Sequence, residues 1–426
     1  MLDGFNLDLE AGTGIRTFTA SVLAALQTLE TQPALLFGRP GVRRADSDEL
    51  RETFFYDTAS RAGRRGRRLR SFADRALQAA AMYAPISRMA LRVPHSGTVL
   101  LAPDWQLPAT VERYTVPNCF TRAQRRYSVT RQYTTLRFPH RVDVWHATYP
   151  LPIVVEGARH ITTIHDCIPL RLPHTTLDDK RMLLRLSQDE IRRCDLVLTV
   201  SDSSRADILN IFDVADDKIR VVHQPALLPP LSATERSELP RYLLSRFGLE
   251  VENYILFVGA IEPKKNVKRL ISAFLQSELK LPLVIVGKRA WLWENELEEA
   301  VSRRGRRRRI ILLGYLSDWD LRRLYAGARC FAFPSLYEGF GLPALEAMSF
   351  GLPVVASNAA SLPEVCGDAA LYVDPYDIDS IAGALDDACH KEDLRAQLST
   401  RGRERAATFT LGRFAAELAE AYGMTS

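Results

Sequence analysis

Two glutamates separated by seven residues, Glu338 and Glu346, bracket a glycine- and proline-rich bend in "SLYEGFGLPALEAMSFG" (335–351). Paired carboxylates serve two chemistries: proton transfer between an acid and a base, or acceptance of hydrogen bonds from the hydroxyls of a sugar. The apolar run "CFAFPS" (330–335) precedes them. Gly339 and Gly341 let the backbone approach a ligand closely, and Pro343 suits the first position of a helix that Gly351 ends. Glu338 is therefore expected on the loop and Glu346 in the first turns of the helix, reaching different parts of one ligand. The free N–H groups and dipole of that helix favour an anion such as a phosphate. Taken alone, two glutamates a turn or two apart describe a solvated helix face more often than a site, but a carboxylate wedged between a buried strand and a Gly-Phe-Gly-Leu-Pro turn does not fit such a face.

Other residues have the types and positions to serve the same ligand. "EPKKN" (262–266) follows the apolar run 254–261 and opens a helix, so Lys265 is placed to neutralise a diphosphate. "TIHDC" (163–167) ends another apolar run, which puts His165 and Asp166 at a strand end; a lone histidine there is more often a satisfied core residue. "GTG" at Gly12, Thr13 and Gly14 precedes an amphipathic helix, although Gly-x-Gly by itself describes many turns. Ser201 reads equally well as the N-cap of "SSRADIL" and as a site residue.

Such strand-end positions require a particular scaffold. In the second half, runs at 254–261, 281–287, 309–316, 330–335, 352–357 and 369–375 are rich in Val, Ile and Phe and alternate with amphipathic helical stretches. That pattern specifies a parallel sheet covered on both faces, hence an α/β fold. The first half repeats it at 33–38, 98–103, 142–149, 160–169, 195–202 and 219–226. Pro-rich "LLPPLSATERSELP" (227–240) reads as the linker. The expected layout is an N-terminal Rossmann-like domain over 1–232, a C-terminal one over 241–405, and a last helix over 406–426 returning to the first domain. Only seven residues precede the helix-opening loop with any strand character, so either the first strand is short or the chain begins upstream of Met1.

Bulk properties exclude several classes. The chain has 426 residues, 46% hydrophobic and 25% charged, as in ordinary soluble proteins of two domains. Its six cysteines form no C-x-x-C pair, which argues against zinc and disulfides and for a reducing cytoplasm. No run reaches the ~18 apolar residues of a membrane span, and the N-terminus lacks a signal-peptide layout. Net charge is +5, with arginines concentrated at 61–70 and 303–309. Each run is either a solvated face or a surface for anionic headgroups; without interleaved aromatics, nucleic acid is not expected as a partner.

"EGFGLPALE", with "AMSFGLPVVASNAASLPEVCGDAALYVDP", "VGAIEPKKNVKRLISAF", "LLGYLSDWDLRRLYAGARCFAFPS", "TIHDCIPLRLP", "LTVSDSSRADI" and "GTGIRTFTASVLAAL", resembles glycosyltransferase family 4, the retaining enzymes of GT-B fold. These motifs are most similar to bacterial mannosyltransferase-like members that build surface polysaccharides. The resemblance implies two Rossmann-like domains facing a cleft, a nucleotide-sugar donor such as GDP-mannose or a UDP-hexose, and a glycan or lipid-linked glycan acceptor. It implies no cofactor and no metal. It gives Glu338 the donor sugar's hydroxyls, with the N–H groups of Phe340 and Gly341, and Glu346 the ribose. Leu342 would lie by the diphosphate, Leu316 and its neighbours by the base, and His165 with Asp166 by the reacting sugar; Gly12, Thr13 and Gly14 would close over the phosphates. The family's phosphate-binding arginine is absent, since Ala260 occupies its position, leaving Lys264 beside Lys265 as the available substitute. A sugar-nucleotide epimerase and a non-catalytic sugar-nucleotide-binding protein remain alternatives. The implied location is the cytoplasmic face of the membrane, held there by arginines 61–70.

Overall fold

The computed structural model describes residues 1–8, 14–29, 31–39, 47–57, 88–100, 107–108 and 110–424. Gly12, Thr13 and the arginines of 61–70 lie outside these residues. Among the described residues no helix is long and apolar enough to cross a membrane.

The C-terminal half is a six-stranded parallel sheet in the order Ile310–Leu313, Leu283–Val286, Ile255–Val258, Cys330–Phe333, Val354–Ser357, Ala370–Val373. Its strands Leu283–Val286, Cys330–Phe333 and Val354–Ser357 are buried along their whole length and apolar except for Ser357, as a parallel sheet with helices on both faces demands. Chain direction across the sheet reverses between Ile255–Val258 and Cys330–Phe333, and in such sheets the ligand crevice opens at the carboxyl ends of the strands flanking that point. Lys264 and Lys265 follow the first of these strands; Glu338 follows the second.

The N-terminal half is an eight-stranded sheet ordered Ile219–Val221, Leu196–Thr199, Arg159–Thr163, Val144–Ala147, Leu2–Asp3, Ala34–Phe37, Glu112–Thr115, Leu91–Val93. All its pairs are parallel except the last, where Leu91–Val93 runs antiparallel to Glu112–Thr115. Here the order switches between Leu2–Asp3 and Val144–Ala147. A three-stranded parallel sheet, Arg88–Met89, Thr134–Arg137 and Ile153–Val155, shares a core with Leu36, Tyr114 and Trp145 of the larger one. The last helix, Leu411–Tyr422, returns to pack on Gly14–Thr28, with Phe414 edge-on to Phe18 and the Tyr422 hydroxyl 2.7 Å from His146 Nδ1.

Three expectations need correction. No strand forms at 98–100; the place beside Ala34–Phe37 belongs to Glu112–Thr115. That strand escaped notice because it carries Glu112 and Arg113, and Arg113 is nonetheless buried, 3.6 Å from the Glu52 carboxylate and hydrogen-bonded to Tyr56. The linker also ends earlier than 240. Ala233–Phe247 is a helix started by a Ser232–Glu235 capping box, and Glu235 takes Arg322 and Arg323 of the helix Asp318–Gly327. The S-x-x-E spacing announced it, but the prolines around it read as a linker. The 303–309 run is not wholly a solvated face: Arg308 donates to the carbonyls of Phe274, Ser277 and Leu279, and Arg304 to that of Leu275, satisfying the C-terminal end of Val267–Gln276.

Candidate site at the facing strand ends

The loop between Cys330–Phe333 and the helix Leu342–Ser349 is tied down from both sides. Asn266, held in a left-handed conformation and buried, donates to the carbonyls of Pro334 and Pro375. The N–H of Leu336 donates to Lys264 O, and the Ser361 hydroxyl lies 2.9 Å from Glu338 O and 2.8 Å from Phe340 O. Gly341 precedes the helix with φ 104°, and a Cβ there would stand 2.6 Å from Leu362 Cδ2, so no other residue fits. With these carbonyls occupied, the N–H groups of Phe340 and Gly341 have no acceptor among the described residues.

Within this frame Glu338 and Lys265 meet. Lys265 Nζ lies 2.7 and 2.8 Å from the two Glu338 oxygens and 5.2 Å from the centre of the Phe333 ring. Both side chains are largely buried, and each is the other's charge partner. Lys264 pairs with Glu262 at 3.4 Å. Burial opposes its charge, but Asp166, Glu262 and Glu338 outweigh it and hold its pKa above the ordinary lysine value.

The two halves touch at Gly339. Its carbonyl accepts from Ser201 Oγ at 2.6 Å and lies 3.1 Å from Ser204 Oγ, while a Cβ on it would meet His165 O at 2.9 Å and Asp166 Cβ at 3.0 Å. Ser201 also accepts from Ser204 N as the N-cap of Asp202–Ile211. His165 donates from Nε2 to Thr148 O at 2.8 Å, and burial holds its pKa below the ordinary histidine value. Asp166 Oδ1 accepts from Ile168 N.

Glu346 sits apart from the ion pair. Burial pushes its pKa up to about 8, against a hydrogen bond from the Tyr325 hydroxyl at 3.1 Å that favours the carboxylate. Tyr325 is held by stacking on Phe350. Leu342 opens the helix partly buried, and Leu316 is partly buried beside Tyr315, which is 57% exposed at the carboxyl end of Ile310–Leu313. The Phe340 ring turns away from this end and packs against His223 and Phe409. Gly14 begins its helix exposed, with open space where a Cβ would stand, so no neighbour requires glycine there.

Residues that sequence reasoning did not single out join the halves. Glu364 accepts from the N–H groups of Asp202 and Ser203 and lies 2.8 Å from His223 Nε2. Trp291 Nε1 donates to Thr175 O, and the Tyr337 hydroxyl to Asp207. A cavity of about 570 Å³ lined by Tyr133, Arg137, Glu156 and His160 opens at the other end of these strands, where the strand Arg159–Thr163 begins, and is no part of this site.

The family description "Glycosyl transferases group 1" matches residues 246–405, and "Glycosyltransferase Family 4" matches 52–226. The O-antigen chain mannosyltransferase B of Escherichia coli is 36% identical over 273 residues, 63% of this chain and 70% of that protein. The serotype-specific mannosyltransferase WbdA of E. coli is 31% identical over 257 residues, 59% of this chain but only 31% of that longer protein. Among solved structures, Anabaena HepE in complex with UDP and glucose aligns over 100% of this chain and 99% of its own, with a TM-score of 0.65 and 15% identity. Two α/β units with parallel sheets, meeting at their strand ends, are the GT-B architecture. The chain belongs to the family 4 glycosyltransferases.

Proposed function

We propose that the enzyme moves a mannosyl group from a nucleotide-sugar, GDP-mannose before a UDP-hexose, to a hydroxyl of a glycan or lipid-linked glycan, with retention of configuration and without a metal. The observation that carries this is the Lys265–Glu338 ion pair at the switch point of the donor-side sheet, one residue from the Gly339 contact with His165 and Asp166. A bound donor exchanges that pair for two better-matched partners: Lys265 and Lys264 turn to the diphosphate, and Glu338 accepts from hydroxyls of the sugar. The free N–H groups of Phe340 and Gly341 and the start of Leu342–Ser349 add to the anion site, with Leu342 against the diphosphate. Glu346 takes the ribose, Leu316 borders the base, and Gly12, Thr13 and Gly14 close from the acceptor side. In this assignment residues 1–232 bind the acceptor, 241–405 the donor, and 406–426 tie the two together.

The bond from the anomeric carbon to the diphosphate oxygen breaks, and the acceptor oxygen bonds to that carbon on the same face. The acceptor's proton goes to an oxygen of the departing diphosphate. Fixed positive charge from Lys265 and helix N–H groups stabilises the leaving group. The mannosyltransferase names of the relatives support the choice of sugar. The place of work is the cytoplasmic membrane face, with 61–70 as the anionic-surface contact.

The decisive assay follows nucleoside diphosphate release from GDP-mannose and UDP-glucose, with and without a mannose-terminated acceptor and with EDTA. Release from GDP-mannose that requires acceptor and survives EDTA, with an α product by NMR, supports the reading. Release without acceptor, or an inverted product, refutes it.

A further inference from the structure

Asp3 has no solvent contact and no cationic partner among the described residues. A buried carboxylate without a counter-charge is costly unless its oxygens are filled by hydrogen bonds. Both are: Oδ2 accepts the N–H of Thr148 at 2.5 Å, and Oδ1 that of Phe5 at 3.3 Å. Burial still pushes its pKa up to about 6, which marks a group kept in place at the expense of stability.

The topology shows what it holds. Leu2–Asp3 and Val144–Ala147 are the strands flanking the switch point of the N-terminal sheet, and Arg159–Thr163 is next in order. Asp3 ends the first, Thr148 follows the second, and His165 lies two residues past the third. Adjacent strand ends thus carry a chain of contacts: Asp3 to the Thr148 N–H, then the Thr148 carbonyl to His165 Nε2. A carbonyl only accepts, so Nε2 bears the proton. In the neutral ring Nδ1 is then a pure acceptor, with no partner among the described residues. Phe18 packs against the imidazole in a T-shaped contact, 4.8 Å between centroids with the planes at 90°.

We propose that Asp3, through Thr148, and Phe18 are positioning residues that set the tautomer and orientation of His165, presenting Nδ1 as a hydrogen-bond acceptor to a hydroxyl of the bound sugar. This rests on the donor-site reading of His165 given above. Asp3→Asn is the informative change, because both oxygens accept from N–H groups and an amide must turn its own N–H₂ onto one of them.

Selective ¹⁵N-histidine NMR reads the tautomer, with His165 identified by its loss in His165→Gln. Wild-type His165 is expected as the neutral Nε2–H form at assay pH; an Nδ1–H form or an imidazolium overturns the proposal, whether or not any variant folds. Asp3→Asn is expected to mix the tautomers and lower kcat about 10- to 100-fold, the scale of a misplaced contact, with donor KM within about twofold. An unchanged spectrum with kcat within twofold of wild type overturns it. If His165→Gln loses transfer while Asp3→Asn does not, only the positioning role falls. Transfer at the wild-type rate in His165→Gln removes the donor-site role as well.

Discussion

The two walls of the cleft are built in opposite ways. On the side of the C-terminal sheet, strand, ion-pairing glutamate, positive-φ glycine, helix N-terminus and second glutamate follow one another between Cys330 and Gly351. On the other side, His165 takes its setting from Asp3, Phe18 and Thr148, which three different elements bring together across most of the N-terminal half. A wall that lies mostly in one segment is set largely by local geometry, with Lys265 and Asn266 added from one neighbouring strand end. A wall assembled from several strand ends depends on the order of the whole sheet, and a change far away in the chain reaches the site through it.

The largest expected effect comes from breaking the contiguous wall. Glu338→Gln keeps the shape of the side chain but removes the charge opposite Lys265, so both the sugar contact and the resting ion pair are lost. Transfer should fall about 10²- to 10³-fold, the scale of removing one preorganised polar contact to a developing charge. Circular dichroism should show the fold retained, and near-wild-type transfer would sink the assignment of Glu338. Lys265→Met tests the same pair from the other side, and because a bound donor gives the two residues separate partners, the double variant should cost at least the sum of the two single changes.

That asymmetry also explains what the sequence made legible. The apolar runs around Ile255–Val258, Leu283–Val286 and Cys330–Phe333 announced a parallel sheet because strands buried on both faces have no other pattern available. The donor loop could be read because glycine, proline and glutamate act there within a few residues of one another. Lys265 was legible as a cation at a strand end, but its partner was not, since pairing with a residue 73 positions away is a property of the sheet order. Asp3 was invisible for the same reason: nothing in "MLDGFNL" shows that its strand sits at the switch point. Glu112–Thr115 was missed because an internal ion pair hid its burial behind charged letters.

A second test separates the two glutamates of the donor wall. Burial pushes the Glu346 pKa up to about 8, so the neutral acid predominates at neutral pH. If ribose hydroxyls are bound by the carboxylate, affinity for the nucleoside diphosphate should rise about 25-fold from pH 6.5 to 8.5 and level off above, as one titrating group predicts. Glu346→Gln should flatten that profile, and calorimetric titration across the range would show it; a pH-independent wild type would refute the ribose role. Stability runs the other way. The folded pKa is raised from 4.5, so the group's contribution is full below 4.5 and is lost as pH rises toward 8. The variant should therefore gain thermal stability over wild type across that window.

The smallest effect should come from the clamp that holds the walls together. Glu364, on the donor side, caps the helix Asp202–Ile211 of the other half and meets His223. Burial works against its charge, but the bonds from His223, Asp202 and Ser203 prevail and lower its pKa. The clamp is therefore present above the ordinary carboxylate range and is lost as pH falls through the depressed value. Losing a cap of this kind costs about 1 kcal/mol, or roughly fivefold in the population of the closed arrangement. Glu364→Gln should thus lower kcat/KM about fivefold at pH 7.5 and leave the Nε2–H tautomer of His165 untouched, because Asp3 and Thr148 lie wholly on one side. Small-angle scattering should show a larger radius of gyration for the variant, and its difference from wild type should shrink on acidification. If scattering and kcat/KM are both unchanged, Gly339 and Trp291 suffice to hold the walls together; if His165 changes tautomer, the walls are not independent, and the contrast between a local wall and an assembled one fails.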